Sequence, residues 1–269
     1  MPEPRKLLEL RSHVFGRWVE GSGARQTLFN PATEEPLATA ASGGVDLSGA
    51  LDHARRVGGP ALRAMSFAER GALLKAAAGA LQQHRTELLE LGIANGGNTR
   101  SDAKFDVDGA IATLLAYAEV GAGLGAARFL VDGEGIQLGR SPRFHGQHVA
   151  VPRHGVAVHI NAFNFPVWGM LEKLGPTLLA GVPAIVKPAS ATSYLTEAAF
   201  RVMIEANILT TEDKVELLDG YLVTKIPQNT PKAVRNVRSL FFCIAHSLLI
   251  DFRKLLIRFL YPLRLRELL

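Results

Sequence analysis

Two stretches of this 269-residue chain concentrate polar groups suited to holding a small ligand. Asn161-Ala162-Phe163-Asn164-Phe165-Pro166 carries two side-chain amides, and Lys187-Pro188-Ala189-Ser190 carries an ammonium and a hydroxyl. Taken singly, an Asn ahead of Pro reads as a turn former, and a Lys before Pro as a solvated cation. Each stretch here follows a short apolar run, and a pair of them raises the odds of a shared ligand site. Other candidate chemistry is weaker. Gly121-Ala122-Gly123-Leu124-Gly125-Ala126 fits the dinucleotide fingerprint G-x-G-x-x-A, yet it follows a helical pattern and opens no βαβ unit, so it reads as a helix-ending loop. Asp106-Val107-Asp108-Gly109 resembles part of a calcium loop, but Lys104 and Leu115 would fall at ligand positions they cannot fill. Its carboxylates read as solvated groups at a helix end. His145, His148, His154 and His159 lack the partner cysteine or the i, i+4 pairing of a zinc site, so no metal is expected. Cys243, inside the apolar run Leu240-Phe241-Phe242-Cys243-Ile244-Ala245, reads as a buried, inert thiol.

Positioning the two polar stretches calls for elements that end where they begin. Gly155–Ile160 and Val182–Lys187 are short apolar runs, and the segment between them, Pro166–Gly181, is long enough for a crossover helix begun by Pro and stopped by Gly. This predicts strand, helix, strand, the opening βαβ unit of a doubly wound sheet. In such sheets the ligand lies outside the carboxyl ends of the strands, where both polar stretches fall. Upstream, apolar residues recur at three- and four-residue spacing over Asp46–Arg56, Ser66–Leu91 and Ala103–Glu119, which predicts three helices. Ser66 and Glu69 make a capping box for the second. Asp132–Gln147, rich in Gly, Arg and His, reads as a loop. Val14–Gly21 and the turn Asn30–Thr33 predict a small N-terminal hairpin. The expected fold class is α/β: an N-terminal helical layer plus the opening βαβ unit of an incomplete, Rossmann-like sheet.

Apolar residues make up 48% of the chain, enough for one large or two small cored domains. The formal charge of +5 sits in the tail: residues 231–269 hold eight Lys/Arg and two Asp/Glu, a net of +6, which leaves −1 for the first 230. No phosphate-tracking face is indicated, and no nucleic-acid partner is expected. The single cysteine precludes an intramolecular disulfide and suits a reducing compartment, and the N-terminus lacks the apolar run of a signal peptide. The longest uncharged run of the tail, Ser239–Ile250, is too short to span a bilayer. A cytoplasmic protein with no membrane partner is expected.

The two polar stretches, with Leu178-Leu179-Ala180-Gly181-Val182-Pro183 and Ile185-Val186-Lys187-Pro188, resemble the paired cofactor-site motifs of the aldehyde dehydrogenase superfamily. Gly16-Arg17-Trp18-Val19-Glu20-Gly21, Asn30-Pro31-Ala32-Thr33, Ser66-Phe67-Ala68-Glu69-Arg70 and Asn95-Gly96-Gly97-Asn98-Thr99 follow in the family's order. The resemblance covers residues 8–209, about three quarters of the chain. Gly58-Gly59-Pro60-Ala61-Leu62, Val131–Gly139 and Val158–Pro166 further resemble the branch acting on CoA-linked semialdehydes from aromatic ring cleavage. Two groups within it remain open, the dehydrogenase half of phenylacetate-degradation bifunctional proteins and the dehydroadipyl-CoA semialdehyde dehydrogenases.

In that family a cysteine thiolate attacks the aldehyde, hydride passes to NAD(P)+, and a glutamate activates water to release the acid. The resemblance implies that Asn164 is the catalytic oxyanion donor, a role whose loss typically costs ~10²–10³ in rate. It implies that Ile160, Asn161, Ala162, Phe163, Asn164, Lys187 and Ser190 line the cofactor, with Lys187 hydrogen-bonding the adenosine ribose. Ser190 stands where many NAD-preferring members carry a glutamate that repels a 2′-phosphate, so NADP is expected to be accepted as well as NAD. The implied substrate is an acyl-CoA semialdehyde, and complete members form dimers or tetramers. The family's nucleophile and general base lie beyond the matched stretch. Glu216 and Cys243 imitate their order at far too short a spacing from Lys187, so no nucleophile is assigned. Residues 1–209 are thus expected to be a truncated dehydrogenase part, inactive alone, with an exposed sheet that favours aggregation.

From about Met203 the wording changes. Ile204–Pro231 resembles the start of a restriction-endonuclease-like family, which suggests a fusion or a sequence-assembly artefact over residues 203–235. Lys232 stands where that family has histidine, its metal-binding carboxylates would come later, and nuclease activity is not expected. Residues 236–269 read as an unassigned basic apolar tail. The alternative to a dehydrogenase part is a non-catalytic fusion or fragment.

Overall fold

The computed structural model describes residues 7–206 and the backbone of a strand at 215–217. Cys243, most of the nuclease-like stretch and the basic tail lie outside the described residues.

The chain opens with β1 (Leu8–Leu10), β2 (Ser12–Val14), β3 (Arg17–Val19), β4 (Gln26–Phe29) and β5 (Pro36–Ala40). β4 and β5 pair antiparallel around the Asn30–Thr33 turn, as the sequence predicts, with Leu28 opposite Ala38. The Asn30 side chain accepts the Ala32 N–H at 2.9 Å and fixes that turn. β1 adds parallel to β5. A second hairpin, not anticipated, joins β2 to β3. Its two turn residues, Phe15 and Gly16, both take positive φ, 54° and 67°, which matches the twist of tight hairpins.

The helical layer follows. α1 (Leu47–His53) runs through a wide π turn, Ala54–Gly58, into α2 (Gly59–Ala64), so the helix expected over 46–56 is longer and irregular. The Ser66 hydroxyl accepts the Glu69 N–H while the Glu69 carboxylate accepts the Ser66 N–H, and this capping box starts α3 (Phe67–Gln83). The single helix expected over 66–91 is two. His84, at φ −95° and ψ 11°, leaves the helical region and re-aims α4 (Arg85–Gly96), whose Leu88 and Leu89 then enter the core. α5 (Arg100–Leu124) begins at a Thr99 cap and is longer than the expected 103–119. It is the one described helix long and apolar enough to cross a membrane. Here its Ala103, Val107, Ala110 and Leu114 are buried in the same core as Leu74 and Leu81 of α3. The crossing of α3 and α5 is close because glycines meet there: a Cβ on Gly121 would lie 2.8 Å from the Gly71 Cα.

Where a loop was expected over 132–147, the chain forms an antiparallel ribbon of β6 (Leu130–Gln137) and β7 (His145–Ala150). Its residues face solvent on both sides, so no alternating apolar face marks it in the sequence. The Gln147 side chain donates to the Gly133 carbonyl at 3.1 Å and steadies it.

The second sheet holds the βαβ unit. β8 (Ala157–Ile160), α6 (Pro166–Leu179) and β9 (Ala184–Lys187) match the sequence expectation, and β8 runs parallel to β9. A short 3-10 turn, Ser190–Thr192, leads into α7 (Ser193–Glu205), and β10 (Val215–Leu217) adds parallel to β9. The β2–β3 hairpin completes this sheet by pairing antiparallel to β10, giving the order β3-β2-β10-β9-β8. α6 and α7 bury Val167, Met170, Leu171, Leu195 and Phe200 in the shared core.

Candidate functional site

The register of β8 and β9 sets the site. Ile160 lies opposite Lys187, so the two polar stretches leave the sheet side by side at its carboxyl end. The Asn161 N–H donates to the Lys187 carbonyl at 3.0 Å, the last rung before the chains diverge. Beyond it the Thr192 hydroxyl donates to the Phe163 carbonyl at 3.1 Å, tying the loop after β8 to the loop after β9. The Thr196 hydroxyl reaches the Pro166 carbonyl at 3.4 Å.

The side chains divide by exposure. Ile160 and Phe163 are 69% and 66% exposed, and Ala162 and Asn164 are exposed as well. Asn161 is only 7% exposed, and no described residue bonds either atom of its amide. Such a group costs free energy until a partner arrives. Lys187 is half-buried, and its Nζ donates to the Pro188 carbonyl at 3.2 Å. Ser190 opens the 3-10 turn, and its carbonyl accepts from the Ser193 hydroxyl at 2.9 Å.

The first turn of α6 carries N–H groups with no partner inside the helix. Phe165, at the cap position, offers no side-chain acceptor. The acceptor comes from α5: Asp106 Oδ1 takes the Trp168 N–H at 2.7 Å, and Oδ2 takes the Val167 N–H at 3.3 Å. Asp106 is fully buried, and burial pushes its pKa up to about 6 against the pull of those two donors. The expectation that this carboxylate is solvated at a helix end is therefore corrected. It lies within α5, on the stripe of Ala103, Val107 and Ala110, and that position on an apolar face was the available signal. Asp108, on the outer side, pairs with Arg85 through two bonds of 2.5 and 2.7 Å.

Asn95, at the end of α4, does the equivalent for the other loop. Its Nδ2 donates to the Ala191 carbonyl at 3.0 Å, and its Oδ1 accepts the Leu195 N–H at 3.3 Å. Phe105, Phe165 and Trp168 form an edge-on ring cluster beside the first turn of α6. Phe105 also lines an open groove of about 390 Å³ with Ser101, Lys104 and Asp108.

His159 is buried with Nε2 3.2 Å from the Thr177 hydroxyl, and burial, helped by the Lys173 charge, pulls its pKa down to about 4. Among the described residues no three potential metal ligands stand together. The glycine-rich Gly121–Ala126 forms the last turn of α5 and its stop, with Gly125 at φ 67°.

Parallel strands joined by a crossover helix, with polar loops at their carboxyl ends, place the chain in the doubly wound α/β class. The model of the aldehyde dehydrogenase family matches residues 18–211. The chain belongs to that family. It is 46% identical over 202 residues to the 3,4-dehydroadipyl-CoA semialdehyde dehydrogenase of Aromatoleum evansii, covering 75% of this chain and 39% of the relative. It is 28% identical to the D-glyceraldehyde dehydrogenase (NADP(+)) of Thermoplasma acidophilum, covering 75% and 39%. The NAD-dependent benzaldehyde dehydrogenase structure from Corynebacterium glutamicum superposes with a TM-score of 0.67 at 24% identity, over 79% of this chain and 44% of that one. The chain thus spans about two fifths of the length of these curated relatives.

Proposed function

We propose that residues 8–209 hold a nicotinamide dinucleotide and place an oxyanion donor, as the cofactor side of an aldehyde dehydrogenase. In its complete form that enzyme would oxidise a CoA-linked semialdehyde of aromatic catabolism to the acid. The observation that carries this reading is the pairing of Ile160 with Lys187, which delivers both polar loops to one end of the sheet. The substrate class rests on the 46% identity to a dehydrogenase of that description.

The residues present fit a dinucleotide. Exposed Ile160 and Phe163 offer apolar surface at a strand end, and the half-buried Lys187 offers an ammonium beside it. When bound, the dinucleotide supplies the hydride acceptor. The Asn164 amide, exposed and carried on an anchored loop, donates to an oxygen that gains negative charge. Ser190 brings a neutral hydroxyl where a carboxylate would repel a 2′-phosphate, which supports acceptance of NADP as well as NAD. Residues 18–211 contain no cysteine, so in this reading the nucleophilic thiolate comes from outside the matched stretch, as does the water-activating carboxylate.

Isothermal titration of the 269-residue chain with NADP+ and NAD+ tests the reading. Saturable binding is expected for both, weakened about tenfold or more by Lys187→Ala through loss of a charged hydrogen bond. Asn164→Ala should change it little, because that amide acts on the reacting oxygen. Absence of binding to either dinucleotide rejects the proposal in favour of a non-catalytic fragment, and a clear NAD preference rejects the part assigned to Ser190.

A further inference from the structure

Two buried polar side chains reach out of the helical layer, and each ends on the backbone of one site loop. Asp106 of α5 accepts the Val167 and Trp168 N–H groups directly behind the loop that carries Asn164. Asn95 of α4 brackets Thr192 by holding the Ala191 carbonyl and the Leu195 N–H. Thr192 in turn holds the Phe163 carbonyl, one residue before Asn164. These bonds close a circuit from α5 through the first loop, across to the second loop, and back to α4. α4 and α5 follow each other directly in the chain and share one core.

We propose that Asp106 and Asn95 are positioning residues that jointly set where the Asn164 amide stands relative to the loop after Lys187. A helix start is capped most simply by Ser, Thr, Asp or Asn at its own cap position. This chain has Phe165 there and instead buries a carboxylate of another helix, a costly arrangement in an apolar core. A local cap would fix only α6. A cap carried on α5 fixes α6 against the helical layer and so determines where the preceding loop can go. The same holds for Asn95, whose amide spans from α4 to residues 96 and 100 positions onward. The proposal gives the site a frame outside the βαβ unit. It rests on the reading above only in treating the two loops as a ligand site; the placement itself needs no ligand.

The test is nitrogen-15 NMR of the full chain without ligand, comparing wild type with Asp106→Ala, Asp106→Asn, Asn95→Ala and Leu81→Ala. Leu81 is a buried core residue of α3 outside the circuit, so its variant reports destabilisation alone. In Asp106→Ala the Val167 and Trp168 amides should exchange about tenfold to a hundredfold faster, and the Asn164 side-chain amide resonances should shift. Asp106→Asn keeps one acceptor and should recover part of that shift. Asn95→Ala should move the same Asn164 resonances although it bonds only the other loop. Leu81→Ala should lower the melting temperature and leave them in place. The proposal is overturned if the helix amides accelerate while the Asn164 amide stays still, which is a cap and nothing more, or if Leu81→Ala moves it equally. Should Asp106→Ala fail to fold, Asp106→Asn and Asn95→Ala decide by the same resonances. A parallel NADP+ titration separates the two ideas: Asn164 shifts without any dinucleotide binding would leave the positioning role intact and remove the cofactor reading.

Discussion

Buried titratable side chains pull the acid stability of this molecule in opposite directions. Burial holds the pKa of His13 and of His159 down to about 4 and raises that of Asp106 to about 6. Each histidine takes a proton in the unfolded chain near pH 6.5 and resists it in the fold, so its contribution is present above that pH and is lost as pH falls towards 4. Asp106 has the reverse sign. The fold keeps its proton up to about pH 6 while the unfolded chain releases it near 3.8, so stability is gained as pH falls through that window. Urea denaturation between about pH 4.5 and 7.5 should therefore show a steeper acid loss for Asp106→Asn and a shallower one for His159→Gln. Each difference should reach a few kcal/mol, since a tenfold change in proton affinity between fold and unfolded chain is worth about 1.4 kcal/mol. Unchanged slopes would remove these residues from the balance. A separate outcome is expected at Asn161, whose amide is buried with no described partner: Asn161→Leu should raise stability by about 1–2 kcal/mol while weakening dinucleotide binding. At this scale the sequence was informative about where Asn164 and Lys187 stand, at or just past the carboxyl ends of β8 and β9, because the apolar runs mark those strand ends. It misplaced Asp106, read as solvated, and gave Asn95 no separate role, because an acid or amide within a helix reads as solvent-facing unless its place on the apolar face is weighed.

The helical elements meet where side chains are smallest. A Cβ on Gly121 would fall 2.7 Å from the Phe67 carbonyl oxygen and 2.9 Å from Leu179, so Gly121→Ala should separate α3 from α5 and cost about 1–3 kcal/mol. Gly79, also in α3, has nothing within 4 Å of such a Cβ, so Gly79→Ala should stabilise by roughly 0.5–1 kcal/mol through helix propensity alone. Thermal and urea melts of the two variants should diverge in sign, and equal effects would show that backbone entropy, not the crossing, governs both. Periodicity and the Ser66 box made the helices legible, and the apolar runs made β8, α6 and β9 legible. The break at His84 was not, because the apolar spacing continues across it while the axis turns. The β6–β7 ribbon was not, because neither face is buried and the alternation that marks a strand has no cause to exist.

For the whole molecule, the order β3-β2-β10-β9-β8 leaves β8 at one margin of the sheet. Its Val158 is 58% exposed, and no described strand lies on its outer side. Val131, Ile136 and Phe144 of the ribbon region are also exposed. Light scattering should show mass rising with concentration, and Val158→Lys should reduce that rise by charging the edge. A single monomer mass at all concentrations would mean that the margin is covered. One feature of the sheet was out of reach of local pattern altogether. The β2–β3 hairpin finds its place against β10, and its His13 and Trp18 rings rest on Phe200, far along the chain. On a ribosome adding about 5–20 residues each second, that hairpin waits roughly 10–40 s for the surface it packs on. Made well before the surface that covers it, the hairpin stays unsheltered for that interval, and its fate rests with whatever holds nascent chains apart.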